Sequence, residues 1–200
     1  MSKSRRDLMR VLSKKFPGPE EAAKLLDALP YKDDRSMALV YAGFLDALLE
    51  KLIIRKLPHM TPRLEGRLFT ERGPLSDFDS KILMAEALRI LPDIDFVAPV
   101  LNSIKKIRNV FGHSILDVSF ETKEISDEIA VHIAPFAITL QKGFIEAAKK
   151  QPLTSDTEIQ FPGLTSKRAF YFVSSCLCAY LDNTHKEITG AWLLAEYTWS

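Results

Sequence analysis

The chain is short of the residues that usually announce a site. It has two cysteines, Cys176 and Cys178, with a single residue between them. That spacing is poor for a disulfide, and no second Cys or Cys/His pair completes a zinc site, so two small buried thiols are expected. It has only four histidines. The formal net charge is +1, which provides no global field for gripping nucleic acid, so any such contact must come from a local patch. No apolar run approaches the ~18 residues of a membrane span. The basic start, with Lys3, Arg5, Arg6, Arg10, Lys14 and Lys15, has no long apolar core and does not read as a secretory signal. Its plain reading is a solvated face, and a nucleic-acid contact there would be steeply salt-dependent. The expectation is a soluble cytoplasmic protein with no membrane contact and no cofactor or metal.

What is present is ordinary globular composition, 46% hydrophobic and 26% charged over 200 residues. Helical periodicity dominates, and strand signals are weak. Asp33 or Asp34 can cap a long helix to about Leu57, with Met37, Val40, Tyr41, Phe44, Leu45, Leu48, Leu52 and Ile53 on a broad apolar stripe. Residues 58–75 hold three prolines and two glycines and read as a loop. Ser76 or Asp77 caps a helix to about Leu91. Asp95 to about Gly112 repeats Val97, Val100, Leu101, Ile104, Ile107 and Phe111 at helical spacing, with Pro99 in the first turn and Gly112 at the exit. Residues 115–120 read as briefly extended. A helix over 124–149 should kink at Pro135, and another is expected over 167–181. Short helices over 4–15 and 20–29, a turn-rich piece over 152–163, and an aromatic end with Trp192, Tyr197 and Trp199 complete the chain. The class is all-α, a helical bundle over 31–150, with a small helical N-terminal appendage (1–30) and a C-terminal helical extension (151–200) that packs on the bundle or on a partner.

The densest polar cluster is Arg108, Asn109 and His113, at the end of a helix whose other positions are apolar. Asn109 and His113 are four apart and share a face, while Arg108 borders the stripe and should have a partner or face a groove. A cation, an amide and an imidazole within one turn suit a phosphate: arginine stabilises its charge, and histidine moves a proton without any metal. The same three residues equally suit a helix end, with an ion-paired Arg108, an Asn109 bonded to backbone and a His113 at the negative pole of the dipole. Spacing alone leaves both readings open. Asp34 and Arg35 read as a cap and an ion pair, and Asp46 and Glu50 as a solvated edge. His59 reads as an exposed loop residue, His132 as half-buried, and His185 as a turn residue. Gly73-Pro74-Leu75-Ser76 lacks the spacing and the lysine of a phosphate loop and reads as a turn feeding a helix cap.

Four segments, in order, resemble the mannitol operon repressor (MtlR) family. They are Asp34-Arg35-Ser36-Met37-Ala38-Leu39; then Leu68-Phe69-Thr70 leading to Gly73-Pro74-Leu75-Ser76-Asp77-Phe78-Asp79-Ser80-Lys81-Ile82; then residues 104–114, Ile104-Lys105-Lys106-Ile107-Arg108-Asn109-Val110-Phe111-Gly112-His113-Ser114; and Val118-Ser119-Phe120. The similarity runs over roughly residues 33–135. It implies an all-helical cytoplasmic regulator without a DNA-binding motif of its own, in keeping with the lack of a helix-turn-helix signature or basic recognition helix in this sequence, and one that acts through a protein partner such as a transcription factor. The third segment also resembles the signature of the wider HEPN superfamily, in which an arginine followed by a polar residue stands about four residues before a histidine at a helix end. That likeness implies a homodimer and, in active members, metal-independent RNA cleavage with Arg108, Asn109 and His113 as the catalytic set. An inactive scaffold that binds RNA or protein is the third possibility. Toxin-type members carry a tyrosine two residues beyond the histidine, where this chain has Ile115, which argues against toxin-like activity.

Overall fold

The structure is a computed structural model that describes residues 21, 24–25, 28–29, 32–70, 72–91, 94–150 and 163–183. The expectations for 4–15, for 152–162, for His185 and for Trp192, Tyr197 and Trp199 lie outside these residues. The chain forms two compact units, Met1–Lys32 and Asp33–Ser200. In the first, Glu21, Lys24, Leu25 and Ala28 are helical, as the periodicity suggests.

The second unit is all-α, with no strand among the described residues. Its elements are α1 (Asp34–Lys56), α2 (Pro62–Phe69), α3 (Phe78–Ala87), α4 (Ile94–His113), α5 (Lys123–Glu128), a π-helical turn (Ile129–Ile133), α6 (Ala134–Lys150) and α7 (Ser166–Asn183). None of them is long and apolar enough to cross a membrane.

The axis of the unit is α1, which packs against α3, α4 and α7. Three neighbours require apolar residues on most of its circumference, and Met37, Ala38, Tyr41, Ala42, Phe44, Leu45, Leu48, Leu49, Leu52 and Ile53 are all buried. Each such large side chain contributes about 1.5–3 kcal/mol of burial. The α1–α7 contact is aromatic: the Tyr41 ring meets Phe170 and Tyr171 edge-on at 6.5 and 6.0 Å. The Tyr41 hydroxyl shares a 2.6 Å hydrogen bond with Ser175. The Leu39 side chain lies beside Gly112, and Arg35 reaches Ser114, so α4 runs antiparallel to α1.

Several local expectations change. The stretch 58–75 is not all loop, because it contains α2. Thr61 accepts a 3.3 Å hydrogen bond from the Leu64 amide, and Pro62 sits at the first helical positions, where its missing N–H costs nothing. Leu68 and Phe69 then bury themselves in a satellite cluster with Ile53 and Leu75. Helix α3 stops at Ala87, short of Leu91, because Arg89 turns left-handed at φ 50°. Helix α4 starts at Ile94, which places Pro99 in the second turn and leaves the Asp95 carbonyl without its i+4 donor. Gly112 stays within α4 instead of terminating it, and its φ is not positive. Residues 115–120 form no strand: Leu116 is a bend, Phe120 opens a turn, and the rest are irregular. The helix over 123–150 meets Pro135 by widening one turn earlier into the π-helical segment Ile129–Ile133, where the Ala134 amide bonds back to Ile129.

Candidate functional site

The last turns of α4 divide cleanly into two faces. Ile104, Ile107 and Phe111 point inward and are fully buried. Phe111 meets Phe120 at 5.1 Å, and Phe120 in turn meets Phe170 of α7 at 4.7 Å. This aromatic column fixes where α4 ends. Arg108, Asn109, Gly112 and His113 all lie on the exposed face. The helix is therefore buried along its stripe, but its polar signature is not.

Arg108 has a partner, though not across a groove: its guanidinium donates a 3.0 Å hydrogen bond to the side-chain oxygen of Asn109. Asn109 thus orients the arginine. Neither side chain bonds His113 among the described contacts. Helical hydrogen bonding continues past the histidine, since the Ser114 amide donates to Val110 at 2.9 Å.

The connector after His113 is held by the start of α1. Asp33 is the N-cap, accepting from the Ser36 amide at 2.8 Å and from its hydroxyl at 2.7 Å. These bonds hold the Asp33 carboxyl below the usual range. Asp34 is released from capping, against expectation. It accepts from the Phe120 amide at 2.9 Å and pairs with Lys167 of α7 at 2.9 Å. Arg35 donates to the carbonyls of Ser114 and Leu116 at 3.1 and 3.4 Å. Two adjacent residues of α1 therefore anchor both ends of the segment leaving the site. The same connector carries Ile115, fully exposed, and Leu116, 75% exposed, while Val110 and Leu39 are exposed beside it.

Asp46 and Glu50 are not a solvated edge. They hold Lys81 of α3, which is only 2% exposed. Lys81 lies 2.7 Å from Glu50, and 3.0 and 2.9 Å from the two oxygens of Asp46. The Asp46 Oδ1 contact has charge proximity without good hydrogen-bond geometry, and that buried atom has no other partner. Burial pushes the Asp46 carboxyl up, opposed by the Lys81 ammonium and, more weakly, by the nearby Arg108 guanidinium. The signature arginine thus sits in the field of a half-buried carboxylate. The readable signal for this triad was a lysine on the inward stripe of α3, beside Phe78, Ile82 and Ala85, opposite two acids one turn apart.

Gly73-Pro74-Leu75-Ser76 is the turn that feeds the Asp77 cap of α3. A Cβ on Gly73 would fall 2.2 Å from the Leu68 carbonyl, so the backbone approach there admits only glycine. Cys176 is mostly and Cys178 fully enclosed, and burial pushes the Cys176 thiol up to about 12 and the Cys178 thiol higher still. No family model matches the chain, and no curated protein or solved structure matches it.

Proposed function

We propose that this protein is a helical regulator of the mannitol operon repressor type, negative in sense, that acts through protein contacts made at the Arg108–His113 face. The observation that carries this reading is the composition of that face. An apolar connector tip, Ile115 and Leu116, is held in solvent by the Arg35 bonds, next to exposed Val110, Arg108 and His113. Apolar centres ringed by arginine and polar groups are the anatomy of protein–protein interfaces. Lone apolar side chains in water need no explanation, but several in register on an anchored segment do. A homodimer formed there, or a complex with a transcription factor, would cover them.

The test combines mass-resolved gel filtration with a pull-down of candidate transcription factors. The variant carrying Ile115→Asp and Leu116→Asp should keep its helical spectrum and lose self-association or the partner. A wild-type monomer that retains no transcription factor would sink the reading.

A second reading, a metal-independent ribonuclease, draws on one specific observation: Arg108 and His113 both face solvent, five residues apart at the end of α4. In it, His113 is the general acid/base and Arg108, oriented by Asn109, stabilises the phosphate. It requires EDTA-resistant RNA cleavage that disappears in His113→Ala and in Arg108→Ala. The protein-contact reading ranks first because it accounts for exposed Ile115 and Leu116 as well as for Arg108 and His113.

A further inference from the structure

Most described cations of the second unit are engaged in internal contacts. Lys81, Lys105, Lys106, Lys123 and Lys167 each hold a carboxylate. Arg35, Arg108 and Arg168 each donate to a carbonyl or amide oxygen. Among the described residues, apart from Lys142 on α6, the exceptions gather in one stretch of chain and at the end of α3. Residues 51–72 hold six lysines and arginines against two glutamates, in a chain whose net charge is +1. Lys56, Arg63, Arg67 and Arg72 are exposed and make no hydrogen bond or ion pair among the described residues, and the same is true of Arg89.

These five cations border a single feature. The satellite cluster of Ile53, Phe69 and Leu75 also gathers Leu57, Leu68, Leu88 and Ile90. Lys56 adjoins Leu57, Arg67 adjoins Leu68, and Arg89 lies between Leu88 and Ile90. Arg63 stands one turn from Arg67 on α2, and Arg72 follows on the turn into Leu75. The acids nearest in sequence are Glu65, Glu71 and Glu86, of which Glu71 lies outside the described residues.

Backbone conformation adds an independent observation. The described non-glycine residues with positive φ are His59 (60°) and Arg89 (50°), both on this rim. Arg89 closes α3 in a Schellman arrangement, with its amide bonded to Glu86 and the Ile90 amide bonded to Ala85, each at 2.9 Å. That position favours glycine, and an arginine there carries a conformational penalty. The sequence keeps a cation where backbone stability prefers none.

We propose that this rim binds the phosphodiester backbone of a nucleic acid, at a site separate from the Arg108–His113 face. Four of the five cations are arginines, whose planar guanidinium matches phosphate oxygens in pairs. A membrane surface fits less well, because Leu68 and Phe69 of α2 are packed inward and Leu64, 41% exposed, is the single large apolar side chain of that helix left to insert. Lys56 lies ten residues beyond Asp46 on α1, about 15 Å along the axis, so the two faces are separable by mutation. The inference does not rest on the regulator reading: a regulator without a recognition helix would gain its nucleic-acid contact here, and a ribonuclease would gain a place to hold its strand.

The experiment uses the full chain and fluorescence anisotropy with labelled 20-nucleotide single-stranded RNA, single-stranded DNA and duplex DNA, and with poly-glutamate as an acidic-protein probe. At least one nucleic acid should bind at low salt and poly-glutamate much more weakly. The Arg63→Gln, Arg67→Gln double variant should weaken binding at least tenfold and reduce the slope of log K against log salt by about 2. Arg89→Gly should raise the melting temperature by roughly 2–4 °C while weakening binding, a combination that a purely structural arginine cannot produce. The basic stretch Lys3–Lys15 stays intact in all variants. Wild-type affinity in both variants, equal binding of poly-glutamate, or no nucleic-acid binding at low salt would overturn the proposal.

Discussion

Replacing Lys81 with methionine isolates the charge of the buried triad, because methionine keeps the length and the apolar stem of the lysine. What disappears is the ammonium that lies within 3.0 Å of both Asp46 and Glu50. Removing one partner of a buried ion pair costs about 3–5 kcal/mol, since the remaining charge stays out of water. The side chains of Asp46 and Glu50 keep 32% and 24% of their surface exposed, which places the loss at the lower end of that range. For a chain of this size, about 3 kcal/mol corresponds to a melting temperature lower by roughly 6–12 °C at neutral pH.

The pH dependence has a definite sign. Burial raises the Asp46 carboxyl above its ordinary value, so the fold favours its protonated form. Its contribution is most favourable below the ordinary carboxylate value and is lost as pH rises through the raised one. Without Lys81 the carboxyl rises further. The gap between wild type and Lys81→Met should therefore be widest near neutral pH and narrow as the pH falls through the raised Asp46 range. Adding Asp46→Asn to Lys81→Met should recover much of the loss. Urea unfolding across pH, followed by circular dichroism, measures all three chains. A Lys81→Met protein that melts within about 2 °C of wild type at neutral pH, or a gap that does not change with pH, would refute the reasoning.

Phe120→Ala removes the middle ring of the Phe111–Phe120–Phe170 column and should cost about 3–5 kcal/mol in urea unfolding, with faster hydrogen exchange over 114–122. Asp77→Ala should destabilise α3 by about 1 kcal/mol, because the Asp77 carboxylate caps the Ser80 amide at 2.9 Å. The backbone bond from Ser80 lowers the Asp77 pKa. Its contribution is thus present above the ordinary carboxylate range and lost as pH falls through the lowered value, so the wild-type advantage over the variant should vanish in strong acid. Cys176 and Cys178 should resist a thiol reagent in the native protein at pH 8 and react on unfolding; rapid native labelling would show that the α7 face opens.

Much of the fold was legible because α1, α4 and α7 bury stripes of strict helical period, and a stripe survives any choice of neighbour. The failures have local causes. Thr61 and Pro62 start α2 within a run of prolines and glycines that resembles loop, and only the burial of Leu68 and Phe69 repays so short a helix. Near Pro135 the helix widens into the π-turn Ile129–Ile133, a feature that apolar periodicity does not display. At the site, the spacing of Arg108, Asn109 and His113 located the cluster but not its exposure. Exposure depends on which face Ile104, Ile107 and Phe111 claim. The roles of Asp34 and Arg35 were hidden because their partners, Phe120, Lys167 and the Ser114 and Leu116 carbonyls, lie about 80 to 130 residues away. For Lys81 the sequence offered a lysine on the inward stripe of α3, but its pairing with Asp46 and Glu50 comes from the packing of α1 on α3.

The packing of α1 against α7 also sets a schedule for synthesis. One whole face of α1, closed in the finished protein by α7, whose Phe170, Tyr171 and Ser175 meet Tyr41, has no cover until residues some 110 positions later are made. At synthesis rates of about 5–20 residues per second, that face stays bare for roughly 5–20 s after α1 emerges. The nascent chain carries an unsealed apolar helix throughout that interval. Chaperone capture, or premature association with another growing chain, competes with the arrival of α7.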